Sequence, residues 1–139
     1  MASYVKYQDF VERLVLQFHD FDSHTFKIAL SNTAPNVATH TVLTDVTEIS
    51  AGNGYTAGGT ATAMTVTETG GTVKIAGTDV TFTASGGNIG PFRYAILYNS
   101  TIAPGYLIAY WDYGVSITIT SGNSFLVDLD PSAGIFTLA

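Results

Sequence analysis

The sequence predicts a mainly β protein, a two-layer antiparallel β-sandwich of about eight strands with one amphipathic helix near the N-terminus. Three observations point there. Short apolar runs of period two recur through the second half of the chain, cut by turn clusters such as Thr69-Gly70-Gly71 and Ser121-Gly122-Asn123. Residues 85–114 read as a β-hairpin, PFRYAILYN and YLIAYWDYG joined at STIAPG, with apolar or aromatic side chains at nearly every strand position. Only one stretch, 8–20, has a helical period. At 139 residues the chain is read as one β-sandwich domain, 1–139, with an N-terminal arm and helix over about residues 1–21. A chain of this length buries roughly 68% of the surface its unfolded form exposes.

Taken in order, residues 1–7 form an apolar arm. In 8–20, Phe10, Val11, Leu14, Val15 and Phe18 share one side of a helix and Glu12, Arg13 and Gln17 the other. Asp9 suits the positive end of its dipole and His19 the negative end. A strand is the competing reading, since Val and Phe are abundant there. From His24 the period becomes two: Phe26, Ile28 and Leu30 alternate with Thr25, Lys27 and Ala29, a half-buried strand ending at SNTAPN. Residues 39–51 fit a helical turn as well as an extended segment. The glycines of AGNGYTAGG then mark a loop. Strands follow near 61–67, 72–75 and 79–84, then the two hairpin arms, then 115–120, 124–129 and 134–138.

The hairpin is the centre of this plan. Successive strand side chains point to opposite faces, so Phe92, Tyr94, Ile96 and Tyr98 share one face and Ala95 and Leu97 the other. On the second arm Leu107, Ala109, Trp111 and Tyr113 lie on one side, with Ile108 and Tyr110 opposite. Both faces require cover, which makes the hairpin either the middle of a sandwich or half of a protein–protein interface.

Composition narrows the function. Five Lys and Arg against eleven Asp and Glu give a net charge of −6, which repels phosphate backbones, so no nucleic-acid partner is expected. Only 12% of residues are charged, few to defend the edges of an exposed β-sheet, so either edges or patches are covered by other chains, the reading preferred here, or Thr and Ser supply the polar surface. Without Cys there is no disulfide framework, which fits assembly in a reducing cytosol. The opening lacks the layout of a secretory signal, and no apolar run approaches the roughly 18 residues of a membrane helix, so no membrane partner is expected.

Constellations that carry chemistry are sparse. His19-Asp20-Phe21-Asp22-Ser23-His24 holds metal-ligating residue types, but lies where a helix end turns into a strand, and caps and turns use the same residues. Asp112, Asp128 and Asp130 can meet for acid–base work or calcium only if their strands adjoin, and the EF-hand spacing is absent. No nucleophile elbow occurs, and AGNGYTAGG has neither phosphate-binding spacing. Asn99-Ser100-Thr101 matches a glycosylation sequon by coincidence of residues. No catalytic residue, metal ligand or cofactor is therefore assigned. The aromatic row Tyr94, Tyr98, Tyr106, Tyr110, Trp111 and Tyr113 suits core, subunit contact or sugar stacking.

FVERL, TFKIALSNTAPN, VLTDVTEISAGNGYTAGG, TFTASGGNIGPFRYAILYN, LIAYWDYG and the closing GIFTLA, in that order and over nearly the whole chain, resemble a family of small tailed-bacteriophage virion proteins. The resemblance implies a capsid decoration or cement protein. Such a β-rich, non-catalytic subunit binds the outer surface of the head, stabilises the shell, partners the major capsid protein and forms a homo-oligomer, often a trimer. Its expected place is the virion surface, after assembly in the host cytoplasm. An acidic chain suits the outside of a DNA-filled shell better than the lumen. The contact residues this reading nominates are Tyr4, Tyr7, Phe92, Tyr94, Tyr98, Tyr106, Tyr110 and Trp111. The alternative is a tail or head-fibre component that touches host glycans through Tyr and Trp. A glycan-cleaving enzyme built on the Asp pairs is a more distant rival.

Overall fold

The structure, a computed structural model, describes residues 2–139; Met1, the first residue of the predicted arm, lies outside them. Period-two patterning gives ten strands: β1 Ser3–Lys6, β2 Phe26–Ser31, β3 Thr60–Thr62, β4 Met64–Thr69, β5 Thr72–Gly77, β6 Val80–Thr83, β7 Ile89–Asn99, β8 Tyr106–Ile119, β9 Ser124–Val127 and β10 Phe136–Leu138. Among the described residues one helix, α1, spans Gln8–Val15, and a single 3-10 turn lies at Leu43–Asp45. All pairings are antiparallel. The main sheet has the order β1-β8-β7-β2-β3, with a three-stranded sheet β10-β5-β4 and a two-stranded sheet β6-β9.

β7 and β8 are the predicted hairpin, and they form the middle of the main sheet. Residues paired across strands share a face. The register therefore puts Phe26, Ile28, Leu30, Leu97, Ala109, Trp111 and Tyr4 on one side, and Ala29, Ile96, Tyr94, Tyr110 and Val5 on the other. The first face packs against the two small sheets. Phe21 stacks on Phe26 at 4.6 Å and meets Phe136 of β10 at 5.5 Å, while Phe92 meets Phe125 of β9 at 5.3 Å. The second face is covered by Tyr7 and the long connection 32–59, while α1 packs through Phe10 on Phe21 and Phe136 at the first. Tyr7 meets Tyr110 at 5.6 Å, the Gln8 N–H donates to the Val37 carbonyl at 3.1 Å, and the Tyr98 hydroxyl donates to the Gly58 carbonyl at 2.6 Å.

A polar knot ties that connection down. The Tyr55 hydroxyl accepts the Leu30 N–H at 3.0 Å and donates to Glu48 Oε1, which also accepts the Gly58 N–H. Gly59 has to be glycine: its φ is +77°, and a Cβ there would stand 1.8 Å from the Ile28 carbonyl oxygen.

Several expectations are corrected. The arm contains a strand that its residues do not signal: Ser3–Lys6 pairs in register with Ala109–Asp112 at one edge of the main sheet. The helix stops at Val15 instead of running to residue 20, because Gln17 takes φ +65° and the Phe18 N–H turns back to the Arg13 carbonyl. The single strand at 61–67 is two strands in two sheets, split at Ala63, whose N–H donates to Thr78 Oγ1 and whose carbonyl accepts the Thr78 N–H. Residues 115–119 continue β8 through Gly114 at φ +83°, instead of starting a new strand. A register shift between Phe92 and Tyr94 separates two residues expected to share a face, so that Phe92 packs with Tyr113 and Phe125 while Tyr94 packs with Tyr110.

Candidate functional site

Most of the nominated contact residues belong to the chain's own core. Tyr7, Phe92, Tyr94, Tyr98 and Trp111 are buried, Tyr106 and Tyr110 are half-buried, and only Tyr4, at 38%, is exposed. The reason is the two-sided cover just described: within the chain these five side chains serve the core. Burial also pushes the Tyr4 hydroxyl up to about 12, and holds those of Tyr7 and Tyr55 far above their ordinary value.

The polar clusters resolve into local roles. Asp20 organises the turn after α1, accepting the Asp22 and Ser23 N–H groups and the Ser23 hydroxyl at 3.0, 3.3 and 2.6 Å. His19 is buried among Phe10, Phe21 and Phe26, with Nδ1 3.2 Å from the Asn99 amide nitrogen. Asp112 pairs with Arg93 at 2.7 Å on the face opposite Trp111, away from Asp128 and Asp130. That pair holds the Asp112 carboxyl below its ordinary range. Asp128 and Asp130 share the turn after β9, where Asp128 Oδ1 accepts the Asp130 N–H at 2.7 Å and Asp130 Oδ1 accepts the Ser132 hydroxyl at 2.9 Å. Among the described residues no three His, Asp or Glu side chains are placed to hold a metal ion.

Two surface features remain. One is a strip of uncovered apolar side chains: Val11, Val15 and Leu16 on α1, Val66 on β4 and Leu138 on β10, with Val15 76% and Leu138 60% exposed. Register places Val66 and Leu138 on the same face of their sheet as Phe136, which packs on Phe10 of α1. Leu14 and Val66 line one hollow beside it. β4 itself, MTVTET, is an edge strand without Lys, Pro or a bulge.

The other is a cleft of about 480 Å³ between the main sheet and the turn 128–135, with Tyr4, Trp111 and Tyr113 on one side and Leu126, Asp128 and Asp130 opposite. Tyr4 stands edge-on to Trp111 at 5.6 Å, and Tyr113 is braced by Phe125 at 5.1 Å. Strand parity already put Trp111 and Tyr113 on one face. The partners brought by β1 and by the last turn had no signal, because Tyr4 pairs with Trp111 across about 100 residues and the turn reaches the cleft by tertiary packing, neither of which leaves a local period.

No family model matches the chain, and no curated protein or solved structure is similar to it at a significant level.

Proposed function

We propose that this chain is a non-catalytic structural subunit of a tailed-phage virion, a decoration subunit that binds the outside of the head as a small homo-oligomer, a trimer in the resemblance described above, and bridges subunits of the major capsid protein. The observation that carries the reading is the uncovered apolar strip running from α1 to β4 and β10, beside an undefended sheet edge. Several large apolar side chains left exposed on neighbouring elements mark contacts with other chains. A standard interface hides about 800 Å² on each partner, and repetition on a lattice multiplies weak contacts into firm attachment. The run of phrases from FVERL to GIFTLA and the net charge of −6 support a place on the outer surface, away from packaged DNA.

The test is co-sedimentation of the purified chain with expanded phage shells that lack it, alongside its solution mass. The expected result is an oligomer that pellets with shells, while the doubly substituted Val15→Lys, Val66→Lys protein stays folded, monomeric and in the supernatant. A monomer that never pellets with shells overturns the proposal, and so does a double variant that binds as the parent does.

A further inference from the structure

The cleft beside Trp111 carries a second activity, and the argument for it does not depend on the chain's place in a virion. We infer that it is a binding site for a neutral oligosaccharide. Its two sides differ in chemistry in the way the two aspects of a pyranose differ. Tyr4 and the half-buried Tyr113, backed by the buried Trp111, supply aromatic surface, which takes the C–H face of a sugar ring; Asp128 and Asp130 supply carboxylate oxygens, which accept from the ring's hydroxyls.

Each side is held in place. Tyr4 is fixed by strand register, Ser3–Lys6 against Ala109–Asp112, and by its edge-on contact with Trp111. Tyr113 is held at 5.1 Å from Phe125. Asp128 is anchored through Oδ1 by the Asp130 N–H, which orients the carboxylate while Oδ2 is left for a ligand. Tyr4 and the acidic side come from opposite ends of the chain, so the cleft is complete only in the folded state. Such preorganisation lowers the ordering cost of binding.

Size and charge set the ligand class. About 480 Å³ lies within the range of pockets that hold drug-sized ligands, which favours several linked sugar rings over one. Two carboxylates at the rim of a chain of net charge −6 repel uronic and sialic acids, so the sugar is uncharged. A quaternary ammonium group is the other ligand that aromatic rings and carboxylates attract. It needs a tight cage of ring faces, whereas here Trp111 is only 8% exposed and Tyr4 meets it edge-on.

The experiment is binding of the full chain to an immobilised panel of neutral hexose and N-acetylhexosamine oligosaccharides, with polygalacturonate and choline as counter-probes, followed by saturation-transfer NMR on any sugar retained. The expected result is binding of at least one neutral oligosaccharide, with none of polygalacturonate. Tyr4→Ala and Asp128→Asn should each weaken it at least tenfold. Asp128→Asn keeps the oxygen that accepts the Asp130 N–H, so the turn survives and the loss reads the carboxylate; an unchanged thermal melt of each variant secures this. Three results overturn the inference: no neutral sugar retained, retention that both variants leave intact, or choline bound in place of sugar. Loss of sugar binding with shell attachment retained, or the reverse, separates this site from the apolar strip.

Discussion

His19 is an acid-sensitive residue because its neighbours dictate which of its nitrogens holds the proton. Asn99 Oδ1 accepts the Thr101 N–H at 3.0 Å, which turns the Asn99 amide nitrogen toward His19 Nδ1 at 3.2 Å and His24 Nδ1 at 2.9 Å. Both Nδ1 atoms therefore accept, and a proton added to His19 Nδ1 would set donor against donor. Burial, and then the nearby His24 and Arg13 against the opposing pull of Asp9, bring the His19 ring down from 6.5 to about 4. The unfolded chain then takes the proton first. Stability is complete above 6.5, falls between 6.5 and about 4, and levels off below that, a loss on the order of 3 kcal/mol. Asp20, Asp45, Asp112 and Asp130, lowered from 3.8 by the hydrogen bonds they accept, lose their contributions in a separate window as pH falls below 3.8. His19→Phe should flatten the upper window at a cost of about 1 kcal/mol at neutral pH; denaturant midpoints at pH 7, 5 and 4 check it, and an unchanged slope refutes the assignment. Tyr7 gives the opposite kind of prediction. Its hydroxyl is buried with no partner among the described residues. Tyr7→Phe should leave stability unchanged or raise it by about 1 kcal/mol, whereas Tyr7→Ala should lose about 3–5. A clear loss in the Phe variant would mean that the hydroxyl has found a partner.

Among the elements, β1 joins the terminus to the core. It closes the outer edge of β8, the Tyr7 N–H donates to the Ile108 carbonyl at 3.0 Å, and the Tyr7 ring fills space against Tyr110. Removing residues 2–7 should cost more than about 3 kcal/mol and leave β8 open to aggregation. A free arm would come off with no change in the thermal midpoint, and that outcome would refute the strand. SYVK carries no turn signal and is too short for a period, which is why it reads as an arm. The hairpin was legible because its strands are apolar on both faces, and the start of α1 because its period is clean. What the residues could not give was the source of the cover. The connection 32–59 has no periodicity, yet through Val37, Leu43 and Gly58 it shields a hairpin face whose cover the sequence leaves open between a second layer of the fold and a partner chain. The same limit applies to the cleft, since Tyr4 and Asp128 meet Trp111 only through long-range pairing.

Charge acts on the molecule as a whole. Of five cations, Arg13 is paired with Asp9 and Arg93 with Asp112, and Lys74 Nζ donates to the Ser132 carbonyl at 2.9 Å. Little positive surface is left to meet an acidic partner, so copies of this chain repel one another at low ionic strength. The proposed attachment through Val15, Val66 and Leu138 would have to overcome that repulsion by burying apolar area, which salt does not weaken. Raising NaCl from about 0.1 M to about 1 M shortens the screening length from about 10 Å to about 3 Å. Self-association, followed by sedimentation, should therefore hold or tighten across that range, and shell binding should follow it. A tenfold weakening instead would mean that the contact is ionic, and the apolar strip would lose its place in the proposed assembly.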